Sequence, residues 1–150
     1  MMRKNIDSIF IAIFENRLDD VVNFIKQGFA DDVLGGESAF MYAINQENYN
    51  AARILLDAGV DPAQKNELGD NALHLAAKWN KKELLALIFN YPIDLNIIGQ
   101  DGFTAINYAA AFGNYDFAKI LLSKGADPDI KDDVFYMSAR QRAEKDGVDL

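Results

Sequence analysis

The chain has 150 residues, half of them hydrophobic and a quarter charged, which suits one ordinary domain with a sizeable core. The absence of cysteine excludes a disulfide framework and thiolate metal sites, and no apolar run is long enough to read as a membrane span. A formal charge of −8 repels nucleic acid and anionic membranes over long range and favours a partner with a basic surface.

In chain order, Arg3 and Lys4 precede an apolar run at residues 9–14 that Glu15 closes. The run is too short for a signal-peptide core and lacks a small-residue cleavage pattern, so it predicts a first helix. Asp7 or Ser8 caps that helix, with Ile9, Phe10 and Ile13 on adjoining turns. Asn16 and Arg17 make a turn, and Val21, Val22, Phe24 and Ile25 give a second helix its buried stripe. The linker at 29–37 contains Gly35 and Gly36 and is two residues shorter than the later ones, predicting a loop without a full hairpin finger. A second helix pair follows over 38–59 with Ile54, Leu55 and Leu56 as core. Asp61 and Pro62 then turn the chain into a finger at 63–70 with Gly69 at its tip.

In the third pair Pro92 stands where the others have glycine, so the second helix must end at or before Tyr91. Residues 94–102 form the next finger, with Asp101-Gly102 as its turn dipeptide. Thr104 starts a short apolar helix through Ala109 and Ala110, Gly113 breaks it, and a second runs through Ile120, Leu121 and Leu122 to Gly125. Residues 138–146 form a final helix, and the three residues after Gly147 leave no room for a second one. Its Arg140, Arg142, Glu144 and Lys145 read as a polar cover on the last apolar face.

None of these helices is long enough to hold itself together alone in water, so each needs neighbours. The sequence supplies them by repetition. Ala43, Ala76 and Ala109 stand 33 residues apart, with Ala12 a step of 31 before them and Ala143 a step of 34 after. Phe24-Ile25, Leu55-Leu56, Ile88-Phe89 and Leu121-Leu122 keep the same register. Gly28, Gly59 and Gly125 each follow their alanine by 16, where left-handed backbone ends a helix.

Residues Asn71-Ala72-Leu73-His74-Leu75-Ala76-Ala77 and Thr104-Ala105-Ile106-Asn107-Tyr108-Ala109-Ala110 resemble the ankyrin-repeat signature T-P-L-H-x-A-A. Leu121-Leu122-Ser123-Lys124-Gly125-Ala126-Asp127 is similar to its L-L-x-x-G-A-D ending. Alanine replaces the signature proline at Ala39, Ala72 and Ala105, and one histidine survives. The resemblance covers roughly residues 7–147 and implies an all-α helix-turn-helix solenoid of about four and a half repeats with short hairpin fingers. The single domain 1–150 divides into units near 5–30, 36–65, 69–98 and 102–131, with a capping half-repeat at 134–150.

Four constellations invite a functional reading. His74 is the one histidine; a general base needs an oriented partner and a pocket, whereas the resemblance implies a residue hydrogen-bonded within and between repeats. Asp127, Asp129, Asp132 and Asp133 suggest a calcium loop, but Asp132 and Ser138 stand where its glycine and bidentate glutamate belong, so a solvated linker is expected. Lys78, Trp79, Lys81 and Lys82 combine charge with a ring, yet one such cluster in an acidic chain is too little to neutralise a run of phosphates.

The fourth is a surface. The resemblance implies that the two residues after each Ala-Ala face the concave side, here including Gln46, Lys78, Trp79 and Phe112, with Leu68, Asp70, Gln100, Asp101 and Phe103 at the fingertips. Trp79 and Phe112 are 33 apart, so stacking should set them side by side, and exposed aromatics with a polar surround compose a binding hot spot. The expectation is a non-catalytic, monomeric, cytoplasmic protein-binding module without cofactor or metal, contacting neither nucleic acid nor membrane. Its partner is another protein with a basic surface. An acidic inhibitor or antitoxin-like binder of a basic enzyme is the alternative that size and charge permit, and an enzyme or small-molecule binder around His74 is the rival from another class.

Overall fold

The structure is a computed structural model that describes residues 8–150; the expected cap by Asp7 lies outside them. Helices come in antiparallel pairs: α1 (Ile9–Phe14) with α2 (Leu18–Lys26), α3 (Ala39–Asn45) with α4 (Tyr49–Asp57), α5 (Ala72–Lys78) with α6 (Lys82–Ile88) and α7 (Ala105–Ala111) with α8 (Tyr115–Ser123). A single helix, α9 (Ala139–Lys145), follows. At six to nine residues each is shorter than the length at which an isolated helix holds in water, so packing makes them. One side-chain device starts every inner helix: Ser8, Ser38, Asn71, Thr104 and Ser138 each accept a hydrogen bond from a backbone N–H of the first turn. Asn71–His74 and Ser138–Gln141 complete it as capping boxes.

Stacking then buries the inner helices on nearly all sides. In α5 every residue but Lys78 is buried, and in α7 every residue but Ala111. The inner helices α5, α7 and α9 pack closely in succession, whereas α3 meets α5 less closely. The outer helices bury one stripe each. In α2 that stripe narrows to Val21, with Phe24 and Ile25 partly buried and Val22 half-exposed.

The junctions repeat as well. The Asn48 amide donates to the Ile13 carbonyl at 2.8 Å and the Asn114 amide to that of Ala77 at 3.2 Å, each tying a repeat to the one before. Lys81, in the same place, reaches Glu47 at 2.7 Å instead. Gly28, Gly59 and Gly125 adopt positive φ and close their helices as expected, and α6 stops at Ile88, before Pro92.

Two expectations need correction. The short linker at 29–37 forms a hairpin after all: β1 (Val33–Leu34) pairs antiparallel with β2 (Glu37–Ser38), the one two-stranded ladder among the described residues. Gly35 and Gly36, at φ 60° and 84°, supply the left-handed backbone of a two-residue turn, so shortening tightened the finger rather than removing it. The terminal helix is also less polar than its sequence reads. Arg142 is buried, pointing back into the stack while Glu144 and Lys145 face solvent.

Candidate functional site

A buried polar spine joins the inner helices to the fingers that follow them. The His74 ring accepts the Asn71 N–H at Nδ1 (3.0 Å) and donates from Nε2 to the Ile97 carbonyl (2.8 Å), joining its own capping box to the following finger. Those partners fix a neutral imidazole, and burial pushes its pKa below the ordinary histidine value. Both ring nitrogens are engaged and the ring is buried, so none is left to take a substrate proton.

Beside it, the Asp70 carboxylate accepts the Gln100 N–H at 2.9 Å and the Tyr108 hydroxyl at 3.1 Å. Phe103 stacks on Tyr108 with centroids 4.7 Å apart, and the Arg142 guanidinium lies 5.2 Å from the Phe103 ring. Asp70 and Phe103, expected at the fingertips as contact residues, are therefore buried supports. Their positions in the repeat suggested exposure, but the backbone at Gly99 and Gln100 folds down onto Asp70. A Cβ at Gly99 would collide with that carboxylate and with the His74 ring.

Trp79 and Phe112 stand at the surface, 44% and 56% exposed, each as the C-cap of its inner helix. The Asn114–Ala77 bond joins those two helix ends, Phe112 leans on Tyr108 at 6.4 Å, and the Lys78 ammonium sits 5.4 Å over the same tyrosine. Lys78, Phe112 and the Tyr108 beneath them thus form one patch, while Trp79, expected beside Phe112, makes no ring contact with it among the described residues. Asp101 is exposed at the adjoining finger turn with φ 55°, and Gln100 is half-buried through its bond to Asp70. Gln46 and Leu68 are exposed in the preceding repeat, where Leu68 borders a shallow depression with Glu37, Asn45 and Glu67.

One exposed apolar group escaped the sequence reading. Val134, Phe135 and Tyr136, at 51%, 66% and 73%, crown the last finger. Asp132 builds that finger: its carboxylate accepts the N–H groups of Val134 (2.9 Å), Phe135 (2.6 Å) and Met137 (3.3 Å) and pairs with Arg142 at 2.8 Å. The expectation of a solvated acidic linker fails at Asp132, which is buried. Burial alone would raise its pKa, but the Phe135 N–H and the Arg142 guanidinium outweigh that and hold the carboxyl below its usual range. Tyr136 keeps a left-handed φ of 52°, uncommon for a bulky residue, so the crown is displayed at some backbone cost. Three consecutive apolar residues in an otherwise charged linker were the available signal.

Among the described residues, no group of three or more histidine and carboxylate side chains is placed to hold a metal ion, and no helix is long and apolar enough to cross a membrane. Comparison with known proteins agrees with the geometry. The family model for ankyrin repeats (3 copies) matches residues 9–98 and 40–132. An ankyrin repeat protein of Fowlpox virus is 35% identical over 117 residues, covering 75% of this chain and 27% of that protein. An ankyrin repeat protein of Acanthamoeba polyphaga mimivirus is 34% identical over 95 residues, 63% of this chain and 12% of that one. An ADP-ribosylation factor GTPase-activating protein of Arabidopsis thaliana is 42% identical over 65 residues, but over only 8% of its own length. The chain thus spans about a quarter or less of these relatives, and the likeness to the last lies in a small part of it.

Proposed function

We propose, from the premise that the chain belongs to the ankyrin-repeat family, that it is a non-catalytic module binding a partner protein through its concave face and fingertips. Ankyrin repeats are in general protein–protein interaction modules. The observation that carries the reading here is the pair Trp79 and Phe112: about half exposed at equivalent helix ends, above inner helices that are otherwise almost wholly buried. A rigid stack presents such rings with little entropy left to lose on binding, and rings of this kind concentrate binding energy. Gln46, Leu68, Gln100, Asp101 and Lys78 supply the surround, while Asp70 and Phe103 act from beneath. The formal charge of −8 favours encounter with a basic partner in a monomeric, cytoplasmic setting.

The test is binding to a partner recovered by co-purification with the native chain. Trp79→Ala and Phe112→Ala should each weaken the complex by about 2 kcal/mol, roughly 30-fold, with unchanged far-ultraviolet circular dichroism. Wild-type affinity in both variants would remove the concave patch from the interface.

A further inference from the structure

Beside the first finger, between α1 and β1, lies a groove of about 540 Å³ lined by Phe10, Ile11, Phe14, Val33, Leu34 and Tyr42, with Ser8 and Asp32 at its edge. Phe10 and Tyr42 make the floor, their rings edge-on at 5.4 Å, and Ile11, Phe14, Val33 and Leu34 are exposed walls. The volume falls within the range of ligand pockets, about 300–1,000 Å³, and the lining is mostly apolar. Among the described residues β1 pairs only with β2, so its outer edge is open to another strand. Asp32 stands at the edge of the groove with Asp31 next to it in the chain, and neither has a cationic partner among the described residues.

From this juxtaposition we infer that the groove takes an extended segment of another protein, one with alternate apolar side chains beside lysine or arginine. The segment lies along the open edge of β1, where main-chain bonds supply affinity. Its apolar side chains fill the space between Leu34 and Phe14. Its cations meet Asp32 and the neighbouring Asp31, which would repel an acidic segment of the same shape. The inference rests on the protein-binding reading and adds the chemistry of what is bound, at a place distinct from Trp79 and Phe112.

A labelled ten-residue peptide tests it, with leucines at alternate positions, two terminal lysines, and serine and glycine elsewhere, titrated into the full chain by fluorescence anisotropy. Binding to the wild type is expected to weaken at least tenfold for Leu34→Lys and for Asp32→Lys, and at least tenfold when glutamate replaces the peptide's lysines. Trp79→Ala should change nothing. Phe14→Ser repeats the test from the facing wall should Leu34→Lys disturb the hairpin. No binding at all, equal binding of a peptide with serine for leucine, or indifference to both groove variants overturns the inference. So does a wild-type chain that sediments as a dimer while Leu34→Lys is monomeric, which gives the groove to a second copy. Loss only in Trp79→Ala overturns it too, while leaving the protein-binding reading in place.

Discussion

The first and last fingers both hold apolar side chains out to solvent, and they do so by different physics. In the first, Val33 and Leu34 are carried by a backbone ladder closed by two glycines. In the last no ladder forms, and Val134, Phe135 and Tyr136 are carried by a buried side-chain network centred on Asp132 and Arg142. Backbone geometry is a local device whose failure stays local. A buried charge pair is a shared device, since Arg142 also donates to the Asn107 amide oxygen at 2.6 Å and the Met137 carbonyl at 2.8 Å, reaching into α7. The two ends should therefore break differently.

Arg142→Ala is expected to be the most damaging single change. It leaves Asp132 buried without its cation and Asn107 without a donor, a loss of about 3–5 kcal/mol by urea unfolding. Arg142→Met combined with Asp132→Asn, which removes both charges, should lose less than Arg142→Ala alone. The folded pKa of Asp132 is depressed, so its contribution is present above the unfolded carboxylate value and fades as pH falls through the folded one. The advantage of the wild type over Arg142→Ala should accordingly shrink in acid. A deficit that stays constant down to the acid range would mean that the ion pair is not what holds the last finger.

Arg142 also marks where sequence reasoning stops. Alanines and leucines at a fixed period make the helix pairs, their order and the buried faces legible, because those depend on which side chains avoid water. The role of His74 follows too, since its place in the signature comes with a bonding pattern. Arg142 and Asp132 read as solvated charges because charge alone says nothing about a partner ten positions away. Asp70 reads as a fingertip because slot counting does not show Gly99 letting the next finger settle onto it, and Phe103 because it does not show the Tyr108 ring and the Arg142 guanidinium that cover it. The short first linker read as a missing finger because its length was weighed above its Gly-Gly pair. Each miss turns on one or two specific contacts that set a loop's backbone path.

Gly36→Ala probes the other device. At φ 84° an alanine is forced into the left-handed region, at a cost of about 1–2 kcal/mol. The added Cβ would also meet the Glu67 carboxylate, the mobile end of a flexible side chain that can swing aside. Stability should fall by that amount, and amide exchange should quicken across 33–38 while 131–138 keep their protection. Faster exchange at both fingers would erase the distinction between local and shared support.

The smallest expected effect is also the sharpest contrast, because one substitution should stabilise in one place and not in another. Ala39 and Ala105 each occupy the first position of an inner helix, where proline's fixed φ fits and its missing N–H is usually not needed. The preceding residues are already extended, Ser38 at ψ 155° and Thr104 at ψ 166°, as a following proline requires. At Ala105 no backbone bond from the N–H is found among the described residues, so Ala105→Pro should stabilise by about 0.5–1 kcal/mol through the unfolded chain. At Ala39 the N–H donates to the Asp32 carbonyl at 3.0 Å, closing the base of the first finger just beyond the ladder. Ala39→Pro removes that bond, worth about 0.5–1.5 kcal/mol, which should cancel or reverse the gain. Thermal unfolding of the two variants side by side decides the matter. Equal stabilisation would mean that the Asp32–Ala39 bond adds nothing and that the Gly-Gly turn alone keeps Val33 and Leu34 in place.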